Sequence, residues 1–192
     1  SFKGVEELEL DEEAGTARLP RSGMALDLGA LAKGYMADML KAFLMEKGCT
    51  SAVLDLGHNI LLIGEKPGRT PFSIGVRDPE GGEGDISVVL YARDVSVVTS
   101  GTYERFFERD GVRYAHILDP YTGAPADTGV SSVTIISQNS LSGDALSTTC
   151  LLLGKEHGLA LIESLENVEA LFLMEDGTRT MSSGFEAYLE KK

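Results

Sequence analysis

The chain lacks most features that assign a sequence quickly to a class. Its two cysteines, Cys49 and Cys150, follow no metal or redox spacing. Both sit among apolar residues, where a buried inert thiol is the commoner case, and they do not fix a redox compartment. No run of about 18 apolar residues is long enough to span a bilayer as a helix, and no signal-peptide pattern is recognisable. Basic residues are scarce: 17 Lys and Arg stand against 30 Asp and Glu, a formal net charge of -13. Nothing resembles a basic stripe that could neutralise phosphates, which argues against nucleic acid and against an anionic lipid surface as partners. Solubility alone accounts for the acidity. Internal repeats and low-complexity segments are absent. The sequence opens at Ser1-Phe2-Lys3 without an initiator Met, and reads as a processed or truncated product whose missing N-terminal region could have carried a targeting signal.

What is present describes one sizeable core. The 192 residues are 43% hydrophobic with evenly spread glycines, enough for a single domain without disulfide staples. Val5, Leu8 and Leu10, then Ala17 and Leu19, flank the acidic turn Asp11–Gly15 and suit two short strands. Met24–Gly29 reads as a strand ending in a turn. From Ala30 onward Leu31, Tyr35, Met39, Leu40, Phe43 and Leu44 share one helical face, with Gly48 as the stop. Ser51–Leu56 reads as a strand, and with the preceding strand and helix it completes one crossover unit. Further strands are expected at 60–63, 72–76, 86–91, 95–99, 103–107 and 112–118, with Arg109-Asp-Gly111 as a hairpin turn. Another strand at 130–136 precedes a helix that starts at Gly143 and continues through 156–165, followed by a strand at 170–174 and a short terminal helix. The fold class is α+β, mixed, with a largely antiparallel sheet and packed helices.

Two stretches carry chemistry. In Ser142–Gly154, Asp144 and Thr148 are four residues apart and project from one helical face. A carboxylate and a hydroxyl on an otherwise apolar helix suit a hard cation such as Mg2+ or Ca2+, and no soft ligand is near enough to argue for zinc. On spacing alone the commoner reading is that Asp144 caps the helix and Thr148 is an ordinary surface hydroxyl. The turn from Asp27 to Gly34 enters a helix whose free amides favour anions, and Lys33 adds a positive charge there. A generic strand-to-helix connection would look similar.

Five peptides have to be explained together: Asp27–Tyr35, Asp55-Leu-Gly-His-Asn59, Thr99–Arg105, His116-Ile-Leu-Asp-Pro-Tyr-Thr-Gly123 and Asp144-Ala-Leu-Ser-Thr148. In this order and spacing the chain resembles the ApbE family, flavin transferases that move FMN from FAD onto a Ser or Thr hydroxyl of a target protein. The resemblance runs from about residue 22 to the C-terminus, where Ser182-Ser-Gly-Phe185 is similar to the family's ending. It implies that Asp144, Thr148 and the carbonyl of Ala30 bind Mg2+, and that Asp27, Lys33, Gly57, Thr99, Ser100 and Gly101 contact FAD. His116 is implied as a catalytic base, with Asp119 and Thr122 shaping its loop at the cofactor; a loop histidine satisfied by the backbone is the alternative.

Two departures accompany the resemblance. His58 stands where a second glycine is usual, and Ser147 where some members have a second carboxylate. The family's additional N-terminal length, which supplies part of the FAD pocket, is not in these residues. The implied partners are FAD and an acceptor protein, by analogy an electron-transfer subunit. The implied location is the periplasmic or cell-surface side of the cytoplasmic membrane, with any membrane contact made by an N-terminal lipoprotein anchor. An FAD pyrophosphatase, with water as acceptor, and a non-catalytic flavin-binding scaffold remain as alternative functions.

Overall fold

A computed structural model of the chain describes residues 5–82, 84–103, 106–109 and 112–189. In chain order these form β1 (Glu9–Asp11), β2 (Thr16–Arg18), α1 (Ala32–Glu46), β3 (Ser51–Asp55), β4 (Asn59–Gly64), β5 (Phe72–Arg77) and β6 (Ile86–Ala92). There follow β7 (Ser96–Gly101), β8 (Phe106–Arg109), β9 (Val112–Ala115), β10 (Val130–Ser137), α2 (Ser140–Glu163), β11 (Glu169–Met174), β12 (Arg179–Met181) and a 3-10 turn, Phe185–Tyr188. The expected acidic hairpin is β1–β2. Asp110 and Gly111 of the expected β8–β9 turn, and Glu104 and Arg105 of the third motif, lie outside the described residues.

The central sheet has the order β12-β11-β10-β7-β4-β3, with every neighbouring pair antiparallel. Strand alternation places its two faces. On β11, Leu171 and Leu173 join the cluster with Phe72, Ile74, Val76 and Leu90 of the β5–β6 hairpin, while Ala170 and Phe172 join Cys150, Leu151 and Ile162 of α2. The period of two that makes Phe72, Ile74 and Val76 alternate in sequence thus turns all three into one buried face. β10 is covered on both sides and buried along its whole length, so the sheet is the middle of three layers, hairpin, sheet and helices.

Three sequence expectations fail, each for a local reason. Residues 24–28 make no strand; the Asp27 carboxylate accepts the Gly29 amide at 2.8 Å and the Leu28 carbonyl accepts from Leu31 and Ala32, which winds the segment into a turn. The crossover unit is therefore not formed, and β3 pairs with β4 through a tight hairpin. The second failure is the face of α1. Leu31, Tyr35, Met39, Leu40 and Phe43 are exposed, and the buried positions are Gly34 and Ala37. Small residues let α1 approach α2 closely, and this contact outranks burial of the larger side chains among the described residues. The helix does stop at Gly48, whose φ of 85° closes a Schellman turn: Gly48 N–H donates to Met45 and Cys49 N–H to Leu44.

The third failure is the start of α2. It begins at Ser140, with the Asn139 side chain accepting from the Ser142 amide at 2.9 Å. Asp144 is therefore not the cap. A second cap comes from α1, where the two carboxylate oxygens of Asp38 accept from the Ser140 and Leu141 amides at 2.8 and 2.9 Å. Gly143 is needed for contact, since a Cβ there would lie 2.9 Å from both Ser137 Oγ and Val98 Cγ2. The helix is interrupted at Gly154, in the left-handed region at φ 73°, and the Thr128 hydroxyl takes up the Leu151 carbonyl at 2.9 Å.

Neither cysteine forms a disulfide, and Cys150 is fully buried. Burial pushes its thiol up from 9.0 to about 11. In the unfolded chain the thiol ionises above pH 9, while in the folded chain it stays protonated to about 11. Its contribution to stability is thus intact below pH 9 and lost between 9 and about 11. The urea midpoint of the wild-type chain is expected to fall more steeply over that window than the midpoint of Cys150→Ala; parallel curves would contradict the assignment.

Candidate active site

One cavity of about 870 Å3 gathers residues from all five motifs. Asp27, Ala30 and Lys33 come from the turn into α1, Gly57 and His58 from the β3–β4 hairpin, and Thr99, Ser100 and Gly101 from the end of β7. His116 comes from the segment after β9, and Asp144 and Thr148 from the first half of α2. Asp119 and Thr122 do not line it. They fold the adjoining turn, where the Asp119 carboxylate accepts from the Tyr121 and Thr122 amides at 2.7 and 3.1 Å and Thr122 Oγ1 accepts from Ala124.

The walls are tied together by hydrogen bonds. Lys33 Nζ donates to the Gly57 carbonyl at 3.0 Å, joining the start of α1 to the hairpin turn. In that turn Gly57 and His58 both have positive φ, 69° and 60°, the requirement of a type I′ connection. Asp55 accepts from the Gly57 amide, and the His58 carbonyl accepts from the Thr99 amide at 2.8 Å, which fixes the hairpin against β7. His58 therefore satisfies a backbone geometry that glycine adopts at lower cost, and its side chain lies at the cavity wall.

Asp144 is 4% exposed, and its Oδ2 accepts from the Gly34 amide at 2.9 Å. That amide is among the first four of α1, which have no acceptor within the helix itself. Asp144 thus takes up an amide that the helix leaves open, and among the described residues no backbone amide donates to the Ala30 carbonyl just ahead of the helix. The close helix contact makes this possible: a Cβ on Gly34 would fall on the Ser140 carbonyl oxygen and lie 2.7 Å from Leu141 Cα. Gly34 and Asp38 are the positioning residues that sequence reading missed. The available signal was a glycine in the first turn of a helix, where it costs about 1 kcal/mol relative to alanine and so marks a close approach.

The donor set fits Mg2+. Asp144 with a carboxylate, Thr148 with a hydroxyl and Ala30 with its backbone carbonyl line the same cavity, so the donors they bring are all oxygen. Among the described residues no group of three or more His, Cys, Asp or Glu could hold a metal, so an all-protein cage is not what these residues offer. Mg2+ keeps waters and takes substrate phosphates, so it needs only such a partial set.

An antiparallel sheet of six strands carrying two helices on one face, with a cleft of oxygen donors at the start of α2, defines the class, and the comparisons agree with it. The sequence profile of the ApbE family matches residues 1–172, and the chain belongs to that family. It is 47% identical to an FAD:protein FMN transferase of Treponema pallidum over 177 residues, 88% of this chain and 49% of the relative. A Klebsiella pneumoniae protein of the same description is 40% identical, over 93% of this chain and 54% of the relative. The ApbE protein of Thermotoga maritima superposes with a TM-score of 0.88 at 34% identity, covering 96% of this chain and 60% of the other. The flavin transferase ApbE of Vibrio cholerae gives 0.84 at 29% identity, with 98% and 60% covered. The chain spans about half the length of the curated relatives it matches.

Proposed function

We propose that this chain carries the metal and nucleotide part of an Mg2+-dependent FMN transferase, which moves FMN from FAD to a Ser or Thr hydroxyl of an acceptor protein and releases AMP. The observation that carries this reading is the single cavity in which three oxygen donors, a lysine and His116 meet. FAD is a pyrophosphate diester, so the acceptor oxygen forms a bond to the FMN phosphorus as the bond to the AMP oxygen breaks. The proton of the attacking hydroxyl passes to His116, an imidazole at the cavity wall. Asp144, Thr148 and the Ala30 carbonyl would hold the cation, which supplies neutralisation of charge on the phosphate oxygens. Lys33 and the amides entering α1 favour the pyrophosphate end. Gly57 and Gly101 let the backbone approach the flavin end.

The acceptor proposed is an electron-transfer subunit, and the site of work is outside the cytoplasmic membrane. No helix among the described residues is long and apolar enough to cross a membrane. Attachment through an N-terminal lipid anchor belongs to the same proposal.

The test is to incubate the chain with FAD and an acceptor protein, in Mg2+ and in EDTA, following covalent flavin by fluorescence after denaturation and AMP by chromatography. The expected result is one AMP per covalently attached FMN, in Mg2+ only. AMP release without attached flavin would establish a pyrophosphatase instead, and FAD binding without AMP a non-catalytic scaffold.

A further inference from the structure

Three hydroxyl groups beside the cavity form a chain whose direction follows from counting protons. Ser147 Oγ lies 3.0 Å from the backbone carbonyl of Asp144, an atom that can only accept, so Ser147 donates there. A serine has one proton. Toward Ser100 Oγ, 2.8 Å away, Ser147 therefore accepts, and the proton of Ser100 is used in that bond. Ser100 in turn must accept from Thr148, whose Oγ1 is 3.1 Å away. The Thr148 proton is thus aimed at Ser100, on β7, and both lone pairs of Thr148 Oγ1 are left for the cavity that Thr148 lines. Ser147 is fully buried, so bulk water does not compete for this order.

We propose that Ser100 and Ser147 are positioning residues that present Thr148 as a lone-pair donor to a divalent cation. The inference rests on the metal reading given above and deepens it. Reversing the chain would turn the Thr148 proton toward the cavity, where it repels a cation. Reversal would forfeit the Ser147 bond to the Asp144 carbonyl, which holds the chain at its far end. Ser147 does not touch the cation in this arrangement and acts only through Ser100 and Thr148.

The test uses Mn2+ alone as the probe, with free Mn2+ read by electron paramagnetic resonance in titrations of the wild-type chain, Ser147→Ala, Ser147→Thr, Thr148→Val and the double variant Ser147→Ala/Thr148→Val. Ser147→Ala is expected to weaken Mn2+ binding by about tenfold, the scale of losing a partner that orients a ligand. Ser147→Thr keeps the hydroxyl and is expected to bind as wild type. The double variant is expected to bind no more weakly than Thr148→Val, since the effect of Ser147 passes through Thr148.

Unchanged affinity in Ser147→Ala, full additivity in the double variant, or no Mn2+ uptake by the wild-type chain would each overturn the proposal. Ser100→Ala breaks the same chain from the strand side and carries the same expectation, should Ser147→Ala fail to fold. Loss of flavin transfer with these Mn2+ results intact would reject the transferase reading alone. Transfer with additive Mn2+ losses would reject the hydroxyl chain alone.

Discussion

Asp144→Asn is expected to lose Mg2+-dependent AMP release by about 100-fold or more while the chain remains folded. Substitutions that only orient a metal ligand cost about 10- to 100-fold, and a carboxylate that itself meets the cation should reach at least the upper end. Asparagine keeps an oxygen that can accept the Gly34 amide, the bond Asp144 Oδ2 makes at 2.9 Å, so the helix contact survives. Asp144→Ala removes that oxygen as well and strands a buried N–H, which costs about 1–3 kcal/mol of stability in addition. The pair of variants separates the two tasks of one side chain. AMP release is measured by chromatography and stability by urea unfolding. Wild-type AMP release from Asp144→Asn would remove Asp144 from the metal site.

Gly34→Ala is expected to destabilise the chain although it adds only one methyl group. The added carbon would meet the Ser140 carbonyl oxygen and Leu141 Cα, both backbone atoms at the start of α2, so no side chain can turn aside and the helices must separate. Overpacking of this kind costs about 1–3 kcal/mol, occasionally more, against which alanine regains about 1 kcal/mol of helix propensity. A lower melting temperature by several degrees is expected. Mn2+ affinity should fall with it, because the Gly34 amide holds Asp144 Oδ2 across the contact that the methyl group would open. An unchanged or raised melting temperature would contradict the close crossing of α1 and α2.

The parts of this fold that sequence reading reaches are those governed by short-range periodicity. The alternation of Phe72, Ile74 and Val76 is a property of the strand itself and needs no partner to be seen. The face of α1 is not such a property. Its largest apolar side chains point away from the core because the contact with α2 is made by Gly34 and Ala37, and hydrophobicity ranks those two residues low. The start of α2 was misread for a related reason: one of its caps, Asp38, lies about a hundred residues earlier in the chain. Within the site, residue types and order bring most motif positions to one cavity. The hydroxyl chain was out of reach, because Ser100 and Ser147 are 47 positions apart and meet only once β7 lies against α2.

The most direct test of the account is a calorimetric titration of FAD into the 192-residue chain, once in Mg2+ and once in EDTA. The cavity at the start of α2 predicts saturable binding in Mg2+ that weakens markedly in EDTA and in Asp144→Asn. Binding of equal strength in Mg2+ and EDTA, or no binding in either, would contradict the claim that these residues hold the nucleotide through a divalent cation.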